Sequence, residues 1–264
     1  MYIANPVYDL VFIEIMNDNN VAKKFISAII GEEIIKLDFA YDEYTTRTRE
    51  ERVWTVFDFY FRAEIKTPDG YKVVYIELQK ARYITDIIWF KRLQNKHDGE
   101  IYSIFILTSD RDMENTPPVL EVNQKVVRDI ASGEEYTEKS EFIESLHFHS
   151  WIVQLESLKS NRRNDLEILL GIFDQNNRIN FYSNYTLNID EDNFPEKYLP
   201  IINRLRKLHE TPQMEGRMNM ENDYIEHLRI SDWIIAEKNK QIAEAEKLIA
   251  ERKKQIAEKN KQIV

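Results

Sequence analysis

The sequence predicts an α/β body, in which helices flank a mixed β-sheet, followed by one long C-terminal helix. Three observations lead to this fold class. Two aromatic, β-branched runs within residues 53–79 are joined by a turn, as in a β-hairpin. Segments with helical spacing of apolar residues stand on both sides of that hairpin. A tandem seven-residue repeat occupies the C-terminus.

The predicted elements follow in order along the chain. Residues 8–30 read as one or two helices ending at Gly31, and residues 34–44 alternate as a strand does. After the hairpin, residues 84–95 predict a helix, and the apolar run 101–107 predicts a strand buried on both faces. Two strand-like runs (119–130 and 147–155) and two helices (166–173 and 195–209) complete the body. We therefore expect a core at residues 1–115, accessory strands and helices at 116–215, and the C-terminal helix at 216–264.

The hairpin has a register that its turn defines. Its two runs, residues 53–65 and 71–79, flank Thr67-Pro68-Asp69-Gly70, which suits a type I turn with Pro second and Gly fourth. If Thr67 pairs with Gly70, residues opposite each other have numbers that sum to 137. Asp58 then lies opposite Gln79. Glu77 lies on the same face, one diagonal step or roughly 7–8 Å from Asp58.

Two carboxylates on one face of a hairpin allow two interpretations. Asp58 and Glu77 could each reach one divalent cation at about 2.1 Å. Carboxylates that face away from a core are, however, commonly just solvated. The pairing alone therefore leaves a metal site and a solvated surface both open. The opposite face is the predicted core face, with Phe57, Phe59, Phe61, Ile65, Val74, Ile76 and Leu78.

Composition excludes several classes of protein. The absence of cysteine excludes disulfides and thiolate metal sites and is compatible with a reducing cytoplasm, where we expect this protein. Six glycines form neither a GxGxxG nor a GxxxxGK loop, so no nucleotide cofactor is expected. No apolar run is long enough to predict a membrane span. His147 and His149 share one strand face without a third ligand and are interpreted as surface histidines.

Charge is unevenly distributed along the chain. The net charge is −10, but residues 233–264 carry eight Lys/Arg and five Asp/Glu, a net of +3, which leaves −13 for the rest. A body this acidic needs local basic patches to hold phosphates, because distant charges are screened within about 8 Å at physiological salt. The candidates include the pair Arg162 and Arg163. Each such cluster also fits a solvated surface.

The C-terminal helix carries the repeat Ile-Ala-Glu at residues 235, 242, 249 and 256. A period of seven favours a left-handed supercoil. The position three residues after each isoleucine is poor for a coiled-coil seam, with Lys238, Ala245, Arg252 and Lys259. We expect a homo-oligomer, a dimer, partly through this helix. A solvated single helix remains the alternative.

Several stretches together resemble the PD-(D/E)XK nuclease family transposases, also called the recombination-promoting nuclease family. Pro6-Val7-Tyr8-Asp9-Leu10-Val11-Phe12 resembles that family's opening helix, and residues 25–33 resemble the end of its second helix. The hairpin, with Asp58 followed by Glu77-Leu78-Gln79-Lys80, resembles its active-site ribbon. Shorter similarities at residues 142–146, 172–175 and 195–198 extend the resemblance over most of the chain.

The resemblance implies a restriction-endonuclease-like core and Mg²⁺-dependent hydrolysis of DNA, with Mn²⁺ as a substitute. Asp58 and Glu77 would be the metal ligands, and Gln79 and Lys80 would complete the catalytic motif. Asp9, or alternatively Glu14, would be the acidic residue supplied by the first helix. Two departures from the family pattern, Gln79 in the usual lysine position and Ile13 after Phe12, leave a second interpretation open. In that interpretation the protein is a weak or inactive nuclease-fold module that binds DNA or protein and self-associates.

Overall fold

The computed structural model contains two compact units, Met1–Glu215 and Gly216–Val264. The structure describes residues 1–41, 45–49, 52–56, 58–81, 99–108, 116–124, 126–138, 140–146, 149–180 and 183–262. The first unit is an α/β body with a mixed sheet, which confirms the predicted α/β class, while the restriction-endonuclease-like core stays a prediction. Within the described residues, no helix combines the length and the apolar composition needed to cross a bilayer.

Strands of the first unit form three sheets. In chain order they are β1 (Tyr2–Ala4), β2 (Ile34–Tyr41), β3 (Thr45–Arg49), β4 (Arg52–Val56), β5 (Asp58–Thr67), β6 (Gly70–Ala81), β7 (Glu100–Leu107), β8 (Val119–Asn123), β9 (Val126–Asp129), β10 (His149–Gln154), β11 (Arg178–Asn180) and β12 (Ser183–Asn188). The main sheet has seven strands in the order β2-β5-β6-β7-β10-β8-β9. Strands β6, β7 and β10 run parallel and the other neighbours run antiparallel, so the sheet is mixed as predicted.

Among the described residues, helices of the first unit contact the main sheet and the sheet that contains β1. They are α1 (Asp9–Met16), α2 (Asn19–Ile30), α3 (Glu141–Glu144), α4 (Asp165–Leu170) and α5 (Leu199–His209). Asp18 caps α2 by accepting hydrogen bonds from the next backbone amides, and Gly31 ends it in the left-handed conformation with φ 70°. The prediction of one or two helices within residues 8–30, ending at Gly31, is therefore confirmed, and the structure has two.

The core lies between the first two helices and one face of the sheet. The ring of Phe12 in α1 is 6.2 Å from that of Phe59 in β5, between centroids, and Phe25 in α2 is 5.8 Å from Phe173. Burial confirms the predicted core face at six positions, namely Phe59, Phe61, Ile65, Val74, Ile76 and Leu78. The seventh, Phe57, lies outside the described residues, as does the predicted helix at residues 84–95.

Some predicted elements differ in extent from the observed ones. The run 53–65 contains two strands in different sheets, because β4 pairs with β3 while β5 pairs with β2 and β6. The run 119–130 is likewise two strands, β8 and β9, which form an antiparallel pair. The short strands β1, β11 and β12 had no pattern long enough to predict them.

The second unit is helical. It belongs to α6 (Pro212–Gln262), which begins before the predicted start at position 216. The predicted long C-terminal helix is confirmed. Its repeat isoleucines with described side chains are solvent-exposed.

Candidate active site

The β5–β6 ribbon has the predicted register. Thr67 pairs with Gly70, and Asp58 pairs with Gln79 at the other end of the ribbon. Gly70 has φ 139°, a conformation that glycine adopts far more easily than residues with a Cβ. The backbone therefore places Asp58 and Gln79 directly opposite each other, as the turn sequence predicted. The Asp58 side chain lies outside what the structure describes.

Glu77 and Gln79 lie side by side on the face opposite to the core helices. Both side chains are almost fully buried, at 2% and 1% exposure. The Gln79 amide nitrogen donates a hydrogen bond to Glu77 Oε1. The Gln79 amide oxygen is also buried, and no described residue donates a hydrogen bond to it. Because buried polar atoms are normally hydrogen-bonded, Gln79 Oε1 is an oxygen available to a ligand.

A row of buried polar side chains crosses the sheet at the level of Glu77. Tyr60 of β5 pairs with Glu77, Ser103 of β7 is the next residue in the row, and Ser150 of β10 follows. All four side chains are buried. Tyr60, Ser103 and Ser150 did not emerge from the sequence, because serines and tyrosines in apolar runs carry no motif. Only their place in the same row as Glu77 could have indicated them. That row cannot be predicted without the parallel register of β6, β7 and β10.

Burial changes the proton affinity of Glu77. Removing the carboxylate from water disfavours its charged form and raises its pKa from 4.5 to about 7. The hydrogen bond from Gln79 and the nearby hydroxyls of Tyr60 and Ser103 oppose this rise, since they stabilise the carboxylate. A cation beside Glu77 would oppose it as well. The local surroundings therefore hold a carboxyl group near the point of half-ionisation at neutral pH.

Lys80 and Asp9 lie together, but on the other face of the ribbon. Strand β6 keeps its register with β7 through Lys80 and Ala81, so no bulge turns Lys80 towards Glu77. Lys80 Nζ donates to Asp9 Oδ1 of α1 and lies 5.8 Å from the centre of the Phe12 ring. The structure thus separates the five candidate catalytic residues. Glu77 and Gln79 are on one face, with Asp58 opposite Gln79, and Lys80 and Asp9 form an ion pair on the other.

Other candidate side chains are engaged in internal contacts. Arg163 binds Asp129 at 2.5 Å and Glu167 at 2.5 Å, and Arg162 binds Asp174 at 2.5 Å. This cluster is therefore a neutralised structural network and not a free phosphate patch. His149 lies 2.6 Å from Glu121, and Glu14 binds Arg204 of α5 at 3.1 Å. His147 lies outside the described residues.

The oxygens around Glu77 fit a hard divalent cation. Carboxylate and amide oxygens are ligands that Mg²⁺ accepts, and the unpartnered Gln79 Oε1 adds to the Glu77 carboxylate. Glu77 and Gln79 would hold such an ion, and Asp58 is the residue across the ribbon that could complete the set. Among the described side chains, no three His, Cys, Asp or Glu gather as metal ligands. That set does not include the Asp58 side chain.

Comparisons with protein-family models, with curated proteins and with solved structures found no match to this chain. The family resemblance therefore depends on the sequence motifs, and the site is argued from its own geometry.

Proposed function

We propose that this protein is a metal-dependent endonuclease that hydrolyses DNA phosphodiester bonds at the Asp58–Glu77–Gln79 end of the β5–β6 ribbon. The observation that carries this proposal is the burial of Glu77 beside a Gln79 oxygen to which no described residue donates, with Asp58 directly across the ribbon from Gln79. An acidic side chain is seldom buried as deeply as Glu77, at 2% exposure, unless it is paired with a cation. The motif resemblance supplies the substrate class, DNA, and the ion, Mg²⁺ or Mn²⁺.

In this proposal each residue of the ribbon has a distinct role. A bound Mg²⁺ supplies Lewis acidity to the scissile phosphate and lowers the pKa of a coordinated water. Glu77 and Asp58 provide negative charge for the cation, and Gln79 orients Glu77 through its amide nitrogen. The Tyr60 and Ser103 hydroxyls favour the charged form of the Glu77 carboxylate and so oppose the effect of its burial.

Lys80 and Asp9 receive a positioning role. Their ion pair ties the first turn of α1 to the end of β6, on the core side. Gln79 stands in the usual lysine position, and Arg62, one diagonal step from Glu77 on this face, is paired with Glu64. Activation of water would therefore fall to the cation, and we expect slow turnover. A cysteine-free chain suits a reducing compartment, so we also propose a cytoplasmic location.

A second candidate function is a nuclease-fold module that binds DNA or protein without cutting and self-associates through α6. Two observations favour it. Gln79 cannot take a proton or carry charge, and α6 exposes a regular series of isoleucines. The two candidates differ in turnover and not in fold.

Cleavage of plasmid DNA tests the first candidate. Purified protein is incubated with supercoiled plasmid and Mg²⁺ or Mn²⁺, beside Asp58→Ala, Glu77→Ala and the exposed control Glu33→Ala. We expect nicking by the wild type and the control, and only background nicking by the two site variants. Equal nicking by all four proteins would assign the activity to a contaminant and reject the proposal. Cation binding without any nicking would favour the second candidate.

A further inference from the structure

The C-terminal helix α6 exposes a stripe of isoleucines. Ile235, Ile242 and Ile249 are 57%, 55% and 52% exposed. Their seven-residue spacing keeps them on one face, with a drift of about 20° per repeat that a left-handed supercoil removes. Large apolar side chains repeated on one face of a helix are typical of an interface. Single apolar residues scattered over an ordinary protein surface do not recur at a regular spacing.

The residues around the stripe define which side of it faces a partner. An alanine follows each isoleucine, and the position four residues after it holds Asn239, Glu246, Lys253 and Asn260. Spacings of four and three alternate along this second series, as in a coiled-coil seam. Its four side chains sum to zero charge. The position three residues after each isoleucine instead holds Lys238, Ala245, Arg252 and Lys259, which would crowd cations at any seam.

The neutral series distinguishes two orientations of a second copy. In a parallel pair each position faces itself, so Glu246 would face Glu246 and Lys253 would face Lys253. In an antiparallel pair whose opposed residues have numbers that sum to 499, Glu246 faces Lys253 twice. The two asparagine positions then face each other, and three repeat isoleucines, at positions 242, 249 and 256, each face an alanine, while Ile235 faces the position of Val264. Large residues against small ones allow two helices to approach closely.

We propose that a second copy of this chain covers the isoleucine stripe of α6 in antiparallel orientation, with a two-fold axis between Ile249 and Ala250. Charge complementarity identifies the second copy as the occupant. Opposite charges of the neutral series meet when the two copies run antiparallel, whereas like charges meet when they run parallel. This inference rests on the proposed self-association through α6 and is independent of the nuclease proposal.

The orientation sets the distance between the starts of the two helical units. In this pairing the second copy's residue 216 stands level with the point that position 283 would occupy if the first helix continued. That point is 67 residues from the first copy's residue 216, so the two starts would be about 100 Å apart along the helices. A parallel pair would place them about 10 Å apart.

A distance between spin labels tests the orientation. Because the chain has no cysteine, Lys238→Cys in the full-length protein takes a single nitroxide label at an exposed helix position. In the antiparallel pair, the second copy's position 238 faces position 261 of the first copy. Positions 238 and 261 are 23 residues apart on one helix, so the two labels should be about 35 Å apart. A parallel pair predicts about 10 Å plus the label lengths. A short distance in a dimer would overturn the orientation alone.

Charge reversal tests the complementarity independently. Sedimentation over a concentration series should show dimers for the full chain, and Glu246→Lys should weaken self-association about tenfold. The double variant Glu246→Lys/Lys253→Glu restores opposite charges across the pair and should restore the dimer, while the control Glu244→Lys, on another face, should change little. A full chain that stays monomeric would overturn both the self-association and this inference. Double-variant dimers as weak as those of Glu246→Lys would overturn the pairing.

Discussion

At the scale of single residues, the burial of Glu77 decides what the ribbon can do. A carboxylate removed from water loses stability in its charged form unless something compensates it. Tyr60, Gln79 and Ser103 compensate part of that loss by hydrogen bonding, yet the pKa still stands at about 7. The remaining loss is what a divalent cation would relieve. Burial of the charged Glu77 side chain is thus costly without a cation, and a bound cation would lower that cost.

This arrangement predicts a pH-dependent stability in the absence of metal. The Glu77 pKa is about 4.5 in the unfolded chain and about 7 in the folded one, so the folded state binds more protons between these values. The contribution is fully present below pH 4.5 and is lost as the pH rises through about 7. Glu77→Gln keeps the shape without the charge and should be more stable than wild type at pH 8 by about 3 kcal/mol at most.

Urea unfolding at pH 5 and pH 8 in EDTA measures this effect. The matched control Glu33→Gln, at an exposed position, should keep the pH dependence of the wild type. Adding Mg²⁺ at pH 8 should stabilise the wild type but not Glu77→Gln. If wild type and Glu77→Gln lost stability equally between the two pH values, the assigned surroundings of Glu77 would be wrong.

Tyr60 provides a second prediction at this scale. Tyr60→Phe removes a hydrogen bond that favours the Glu77 carboxylate, so the Glu77 pKa should rise further. A hydrogen bond worth about 1 kcal/mol lowers the ionised fraction of Glu77 at pH 7, and with it the Mn²⁺ affinity, by about threefold. Calorimetric titration with Mn²⁺ measures this loss. Tyr71→Phe, on the same ribbon face but exposed, is the control, and an equal loss in both variants would reject a specific role for Tyr60.

At the scale of elements, the two faces of the β5–β6 ribbon are expected to act independently. Lys80→Met removes the partner of Asp9, which is 42% exposed and can be rehydrated, so the free energy of unfolding should fall by only about 1 kcal/mol. Because Lys80 lies on the core side, Mn²⁺ affinity should be unchanged. Chemical denaturation and calorimetry on the same sample test both statements. Loss of Mn²⁺ binding in Lys80→Met would place Lys80 in the site.

In the ribbon, the sequence could predict the register but not the strand boundaries or the burial of Glu77. The turn Thr67-Pro68-Asp69-Gly70 fixes the register locally, and alternation then assigns each side chain to a face, so the pairing of Asp58 with Gln79 was predictable. The split of the run 53–65 was not, since aromatic and β-branched residues continue across the break. The burial of Glu77 was also unpredictable. It depends on Tyr60 and Ser103, and Ser103 reaches it only through the parallel pairing of β6 with β7.

At the scale of the whole molecule, the acidic body and the basic helix are chemically distinct. Unit Met1–Glu215 contains the sheets and the core described above, so its stability should not depend on the distal part of α6. Removing residues 233–264 should therefore leave the urea midpoint and the Mn²⁺ affinity unchanged while abolishing self-association. Sedimentation and denaturation of the truncated chain test this. An aggregated product, or one without a cooperative transition, would contradict the independence of the body.

The central claim is that Glu77, Gln79 and Asp58 bind one divalent cation. The most direct measurement is a crystal structure of the protein soaked in Mn²⁺ at pH 7.5, with anomalous diffraction data. We predict one anomalous peak within about 2.3 Å of a Glu77 carboxylate oxygen, on the Asp58 side of the ribbon, and no peak for Glu77→Gln. An Mn²⁺ peak at Asp9, or none near Glu77 in a well-ordered crystal, would contradict it.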